Sequence, residues 1–127
     1  MITINPQEYT IPLATKKGWI IGLGHIAKVN NYDLTIVPVR DEAVIKLSIS
    51  DLKTGIGIAQ IPIHILEFMH CDTKAKMLNM YSGVLIDIEK TLLKENPSKL
   101  REKLDKRLAE LSLGPVPKIE EEVTDDE

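Results

Sequence analysis

Residues 45–65 read IKLSISDLKTGIGIAQIPIHI, and the spacing of the apolar residues in this stretch decides the fold class. Ile45, Leu47 and Ile49 alternate with Lys46, Ser48 and Ser50, the period-two pattern of a strand that buries one face. Asp51 to Thr54 is a polar turn, after which Ile56 and Ile58 alternate with Gly55, Gly57 and Ala59. At Pro62 two readings meet. A proline suits the first position of a helix, which gives a short helix over 62–70; Ile61, Ile63 and Ile65 also alternate, which gives a last strand. The helix is the preferred reading.

Upstream the alternation continues. Tyr9, Ile11 and Leu13 share one side of a strand, and Trp19, Ile21, Leu23, Ala27 and Val29 one side of another, with Leu34 and Ile36 in a third. The links between them (Lys16-Lys17-Gly18, Asn30-Asn31, Arg40-Asp41-Glu42) are too short for parallel crossovers. The expectation is an antiparallel meander of four to five strands over residues 9–60. Pro12 and Pro38 supply no ladder N–H, so their segments belong at sheet edges or bulges.

Downstream the period becomes helical. Asp72 or Thr73 can cap a helix over 73–95, in which Met77, Tyr81, Val84, Leu85, Ile88 and Leu92 recur every three or four residues and form a stripe that should lie across the sheet. Asn96-Pro97 starts a further helix over 97–113, ended by Gly114 and Pro115. Its narrow seam of Leu100, Leu104, Leu108 and Leu111 suits packing on an edge or against a copy of itself. These features define an α+β domain over 1–113. Residues 114–127 lack apolar periodicity and are expected to form a disordered acidic tail.

At 127 residues the chain supports one core, and with only 4% aromatic residues that core is aliphatic. The net charge of −3 is unevenly placed: Glu120 to Glu127 hold six acids and no base, leaving 16 basic and 13 acidic residues in the rest. Apolar runs fall short of the ~20 residues a spanning helix needs. One cysteine, Cys71, excludes an internal disulfide, and no basic segment followed by an apolar run opens the chain over Met1 to Leu13, so a cytoplasmic setting is expected.

Chemistry-bearing motifs are sparse. His25, His64, His70 and Cys71 are the soft-ligand candidates, but their spacing fits no tetrahedral ligand pattern, so they read as structural or surface residues. Gly22-Leu23-Gly24 lacks a third glycine and a following helix, and so marks a bulge or bend rather than a phosphate loop. Cys71 has no flanking nucleophile motif. The chain is therefore not expected to be an enzyme, and no cofactor or metal is expected.

Nucleic-acid binding requires cations for phosphates and flat side chains for bases. Lys16, Lys17, Lys28, Arg40, Lys46 and Lys53 lie on strands or turns of the first half, and Tyr32 stands beside the Asn30-Asn31 turn as the exposed aromatic. The order of parts, a curved antiparallel sheet, a helix following the strand Gly55-Ile56-Gly57-Ile58 and an acidic terminus, resembles over residues 9–94 the single-stranded-DNA-binding proteins of the transcriptional-coactivator and Whirly type and similar archaeal-virus proteins. That resemblance implies a homodimer that binds strands on its sheet, with Glu120 to Glu127 contacting partner proteins or competing with DNA. The leading expectation is thus a single-stranded nucleic-acid-binding protein with a basic sheet face. The alternative is a protein-protein interaction module, a small viral or accessory factor acting through its final helix or an open sheet edge.

Overall fold

In a computed structural model, residues 2–42, 44–92 and 96–121 are described. They form, in chain order, β1 (Ile2–Ile4), β2 (Tyr9–Thr15), β3 (Gly18–Val29), β4 (Tyr32–Asp41), β5 (Val44–Asp51), β6 (Gly57–His64), α1 (Ile65–Met69), α2 (Lys74–Leu92), α3 (Pro97–Leu111) and β7 (Glu120–Glu121). The α+β class and the antiparallel meander stand, but the sheet has seven strands, in the order β6-β5-β4-β3-β2-β7 with β1 beside β3.

Alternation fixes which face is covered. Ile45, Leu47 and Ile49 of β5 join Leu34 and Ile36 of β4, Ala27 and Val29 of β3 and Ile63 of β6 in one buried cluster, completed by Tyr81, Leu85 and Ile88 of α2. Met77, Tyr81, Val84, Leu85 and Ile88 of the stripe predicted for α2 therefore do lie against the sheet, while the Leu92 side chain lies outside those described. Ser48 and Ser50, on the opposite side of β5 by the same alternation, are buried as well. On that side Val37 packs with Ile11 and Leu13 of the β2–β3 hairpin, so the sheet curls until part of it covers its own second face.

The curl has two local causes. Odd-numbered residues of β3 turn their backbone groups toward β4, whereas even-numbered ones turn toward β1 and β2, as the bond from Asn5 N–H to Ile26 O shows. The β3–β4 ladder runs from Val29↔Tyr32 to His25↔Ile36 and stops. The next pair would set Leu23 against Pro38, which has no N–H to give. There β3 crosses over β4, and the crossing needs glycine: a Cβ on Gly24 would stand 2.1 Å from Ile36 O, and one on Gly22 2.5 Å from Val37 Cγ1. The glycine pair is thus the predicted bend.

Several expectations change. Pro62 does not start a helix: Ile61–Ile63 continue β6 against Leu47–Ile45, and α1 spans only five residues. Pro62 is tolerated because β6 is the last strand of the sheet and Pro62 stands opposite Lys46 with its missing N–H facing outward. A strand, β1, precedes the predicted meander. Thr73 receives Lys76 N–H (3.2 Å) and α2 begins at Lys74; residues 93–95 lie outside those described. Asn96 caps α3 with Pro97 inside it, but the helix ends at Leu111 because Ser112 turns left-handed (φ 51°) ahead of Gly114 (φ 81°). The expected disordered tail is different at its start, where Glu120 and Glu121 pair with Thr10 and Tyr9; Glu122 to Glu127 lie outside the described residues. No described helix is long and apolar enough to cross a membrane.

Two measurements test this packing. Gly24→Ala should lower stability in urea unfolding by about 2–3 kcal/mol, since the crossing cannot admit a methyl group. Gly57→Ala, where an added Cβ meets nothing within 4 Å, should cost far less. Tyr81, whose ring meets His25 edge-on at 5.9 Å, has its phenol pushed up from 10.0 to about 12, first by burial and then by the charge of Glu8. The unfolded chain then loses this proton first as pH rises, so the contribution is intact below pH 10 and lost toward pH 12, on the order of 2 kcal/mol. Tyr81→Phe should flatten the alkaline fall in the urea midpoint; an equally steep fall in the variant would refute the assignment.

Candidate functional site

Two places on the molecule combine shape with exposed chemistry. The first is a cleft of about 790 Å³ between the β3–β4 turn, the β5–β6 loop and the start of α3, lined by residues that include Asn31, Tyr32, Asp33, Lys53, Ser98 and Arg101. Its floor is built around Asp51, the last residue of β5 and only 2% exposed. Arg101 grips that carboxylate with both terminal nitrogens, at 3.0 Å to Oδ1 and 2.5 Å to Oδ2. Thr54 donates to Oδ2 from its backbone N–H (3.0 Å) and its hydroxyl (2.7 Å). A buried carboxylate needs this many donors to offset its lost hydration. The same bonds, with Asp105 at 3.3 Å, hold the Arg101 guanidinium above its ordinary pKa, against the lowering effect of its own desolvation.

The loop that Asp51 organises is held from the other side as well. Gly55, at φ 74°, sits so close to β2 that a Cβ would meet Pro12 O at 2.8 Å, and Ala14 N–H donates to Gly55 O at 3.0 Å. Trp19 of β3 adds an indole bond to Leu113 O at 3.2 Å, beyond the end of α3. The cleft wall is completed by Tyr32, whose hydroxyl donates to Pro97 O at 2.9 Å.

The cations proposed from sequence are spread over several elements of the chain. Tyr32 and Lys53 line the cleft, and Lys28 lies beside it, 3.7 Å from the Asp33 carboxylate. Lys16 and Lys17 form the β2–β3 turn, and Arg40, near the end of β4, donates to Glu42 O at 3.4 Å. Lys46 sits in mid-β5 among residues that alternate toward the hairpin side. Tyr32 is half-buried against the core, with its hydroxyl already bonded. Arg101, which its spacing marks as a helix-surface partner of Asp105, also reaches a carboxylate fifty positions away, and no local signal announces that.

The histidines have structural places. His25 is buried with Nδ1 3.1 Å from Asn5 O, His64 caps α1 by accepting from Leu66 N–H, and His70 ends that helix. Cys71 Sγ lies 3.7 Å from Met80 Sδ. Among the described residues no trio of His, Cys, Asp or Glu is placed to hold a metal ion.

The second place is the edge of β3 that β4 leaves open. Pro12, without an N–H, and Ala14, bonded to Gly55, both turn away from β3. Their opposite numbers Ile21 and Trp19, and by the same alternation Leu23, therefore turn their N–H and C=O away from β2, toward the side where β4 has departed. Along this edge Ile20, Ile21 and Leu23 are 53%, 54% and 48% exposed. Where the strands part, a notch of about 130 Å³ is lined by Glu8, Leu23, Gly24, His25 and Pro38, with Met77 and Tyr81 of α2.

Comparison with family models, with curated proteins and with solved structures finds no match for this chain, so its function is read from its own residues.

The Asp51 node is testable by unfolding. Asp51→Ala leaves Arg101 and Thr54 without their common acceptor and should cost about 3–5 kcal/mol in urea melts at neutral pH. Arg101 and Asp51 substitutions combined should cost clearly less than the sum of each alone, since they remove one shared contact.

Proposed function

We propose that the chain is a non-enzymatic protein-interaction module whose contact surface is the open edge of β3. The observation that carries this reading is the coincidence, on residues 18–24 (GWIIGLG), of outward backbone groups with half-exposed isoleucine and leucine and no charge. An extended segment laid beside such an edge gains main-chain bonds from the strand and burial from alternate side chains. The presence of one cysteine, Cys71, suits a cytoplasmic partner.

A second reading, single-stranded nucleic-acid binding, draws support from Tyr32, Lys53 and Arg101 lining one cleft with Lys28 at its side. The two readings separate in one experiment, because Trp19, the only tryptophan, lies on the proposed contact strand. Titration with a soluble synthetic peptide of alternating valine and threonine should change Trp19 emission and saturate. Ile21→Pro should abolish the change, since position 21 offers its N–H to the open side. An oligonucleotide titrated in parallel should bind weakly and without a steep salt slope. Silence with the peptide, together with oligonucleotide affinity that falls tenfold or more on raising salt, would transfer the function to the cleft.

A further inference from the structure

We propose that the occupant of the open β3 edge is a second copy of the chain, paired antiparallel with the first about a two-fold axis at Ile21. This rests on the reading of β3 as a contact strand and adds the identity of the partner.

Among the described strands, β1, whose outer side is unpaired, is only three residues long, and the remaining open edges carry devices that discourage strand pairing. The outer side of β6 has Pro62, β7 consists of two glutamates, and the part of β4 that faces away from β5 has Pro38 and Arg40. Residues 18–24 of β3 have none: no lysine, no acid and no proline interrupts them. An unguarded edge of apolar residues is the one that accepts another strand.

The pattern of outward groups is compatible with a second copy as the partner. Trp19, Ile21 and Leu23 present N–H and C=O to the open side, while Gly18, Ile20, Gly22 and Gly24 are turned toward β2. In an antiparallel pair centred on Ile21, Ile21 meets its own copy and Trp19 meets Leu23 of the other chain. All three are then hydrogen-bonded pairs that exchange both bonds, so every outward group on both strands finds a partner. The match is self-complementary, as a two-fold interface requires. The side chains brought together are isoleucine, leucine and tryptophan, so no like charges face one another.

A ladder of this length covers far less than the ~800 Å² per partner of a standard interface, so weak, concentration-dependent association is expected. Sedimentation velocity of the full chain from about 5 to about 500 μM should show monomer converting to dimer over that range. Ile21→Pro and, separately, Ile21→Lys should remain monomeric throughout with an unchanged urea midpoint; the lysine variant decides the matter if the proline one fails to fold. For the register, Ile21→Cys combined with Cys71→Ser should oxidise to a linked dimer, because paired Cα atoms lie about 5.5 Å apart, within disulfide reach. Lys99→Cys combined with Cys71→Ser, on the exposed side of α3, should not. A wild-type chain that stays monomeric while the synthetic peptide still shifts Trp19 overturns the second copy and leaves the contact strand standing. Monomer without any peptide response removes both. A dimer that survives Ile21→Lys, or fails to link through position 21, lies elsewhere on the molecule and overturns this interface.

Discussion

The carboxylate of Asp51 is the point on which the arrangement of layers depends. It sits at the last position of β5, almost wholly buried, and is satisfied from two directions, by Thr54 in its own loop and by Arg101 from α3. The first set of bonds shapes the β5–β6 loop so that Gly55 reaches β2. The second fixes α3 across the end of the sheet. A lone buried carboxylate would be strongly unfavourable, so the loop, the helix and the hairpin are held to one mutual position by the need to keep this charge paired. That Arg101 leaves its Nε–H buried without a hydrogen-bond partner among the described residues shows the arrangement is governed by the two terminal nitrogens.

The second constraint is a missing donor. A meander of five consecutive strands would stay open and flat if each ladder ran its full length, and one whole face would then be available to a ligand. Pro38 ends the β3–β4 ladder at Ile36, and Gly22 and Gly24 permit β3 to pass over β4 where any side chain would collide. The hairpin of β2 and β3 folds onto Val37 as a result. The face that would have served as a platform becomes interior, and what the fold leaves uncovered is an edge. Curvature that completes the core and curvature that exposes the β3 edge are the same event.

This explains what was legible in the sequence and what was not. Alternation in Val44–Asp51 and the helical spacing of Tyr81, Leu85 and Ile88 report burial directly, because side-chain direction follows residue number within an element. The glycine pair at 22 and 24 and the prolines at 12 and 38 were readable as bends and edges for the same local reason. Pro62 misled because a proline fits the start of a helix and the outer side of an edge strand equally well, and only the neighbouring strand order distinguishes them. The cleft was half visible: Tyr32 and Lys53 could be named from their turns, but Asp51 read as an ordinary turn acid and Arg101 as a surface cation. Their contact spans fifty positions and is set by how α3 closes the sheet, which no local pattern encodes.

Edges also bear on how strongly such a molecule can associate. Half-exposed Ile20, Ile21 and Leu23 can remove only a modest apolar area from water, at about 25 cal/mol per Å². Association carries a cost of several kcal/mol in lost translational and rotational freedom, so this burial alone does not produce a stable complex. Main-chain bonds must supply the remainder, and they contribute only where every outward N–H and C=O finds a partner, since an unmatched group loses its water without return. The alternation along β3 therefore acts as the specificity element: a strand set one residue out of register meets groups that point away from it. Weak, register-dependent and reversible contact follows from the chemistry of the exposed strand itself.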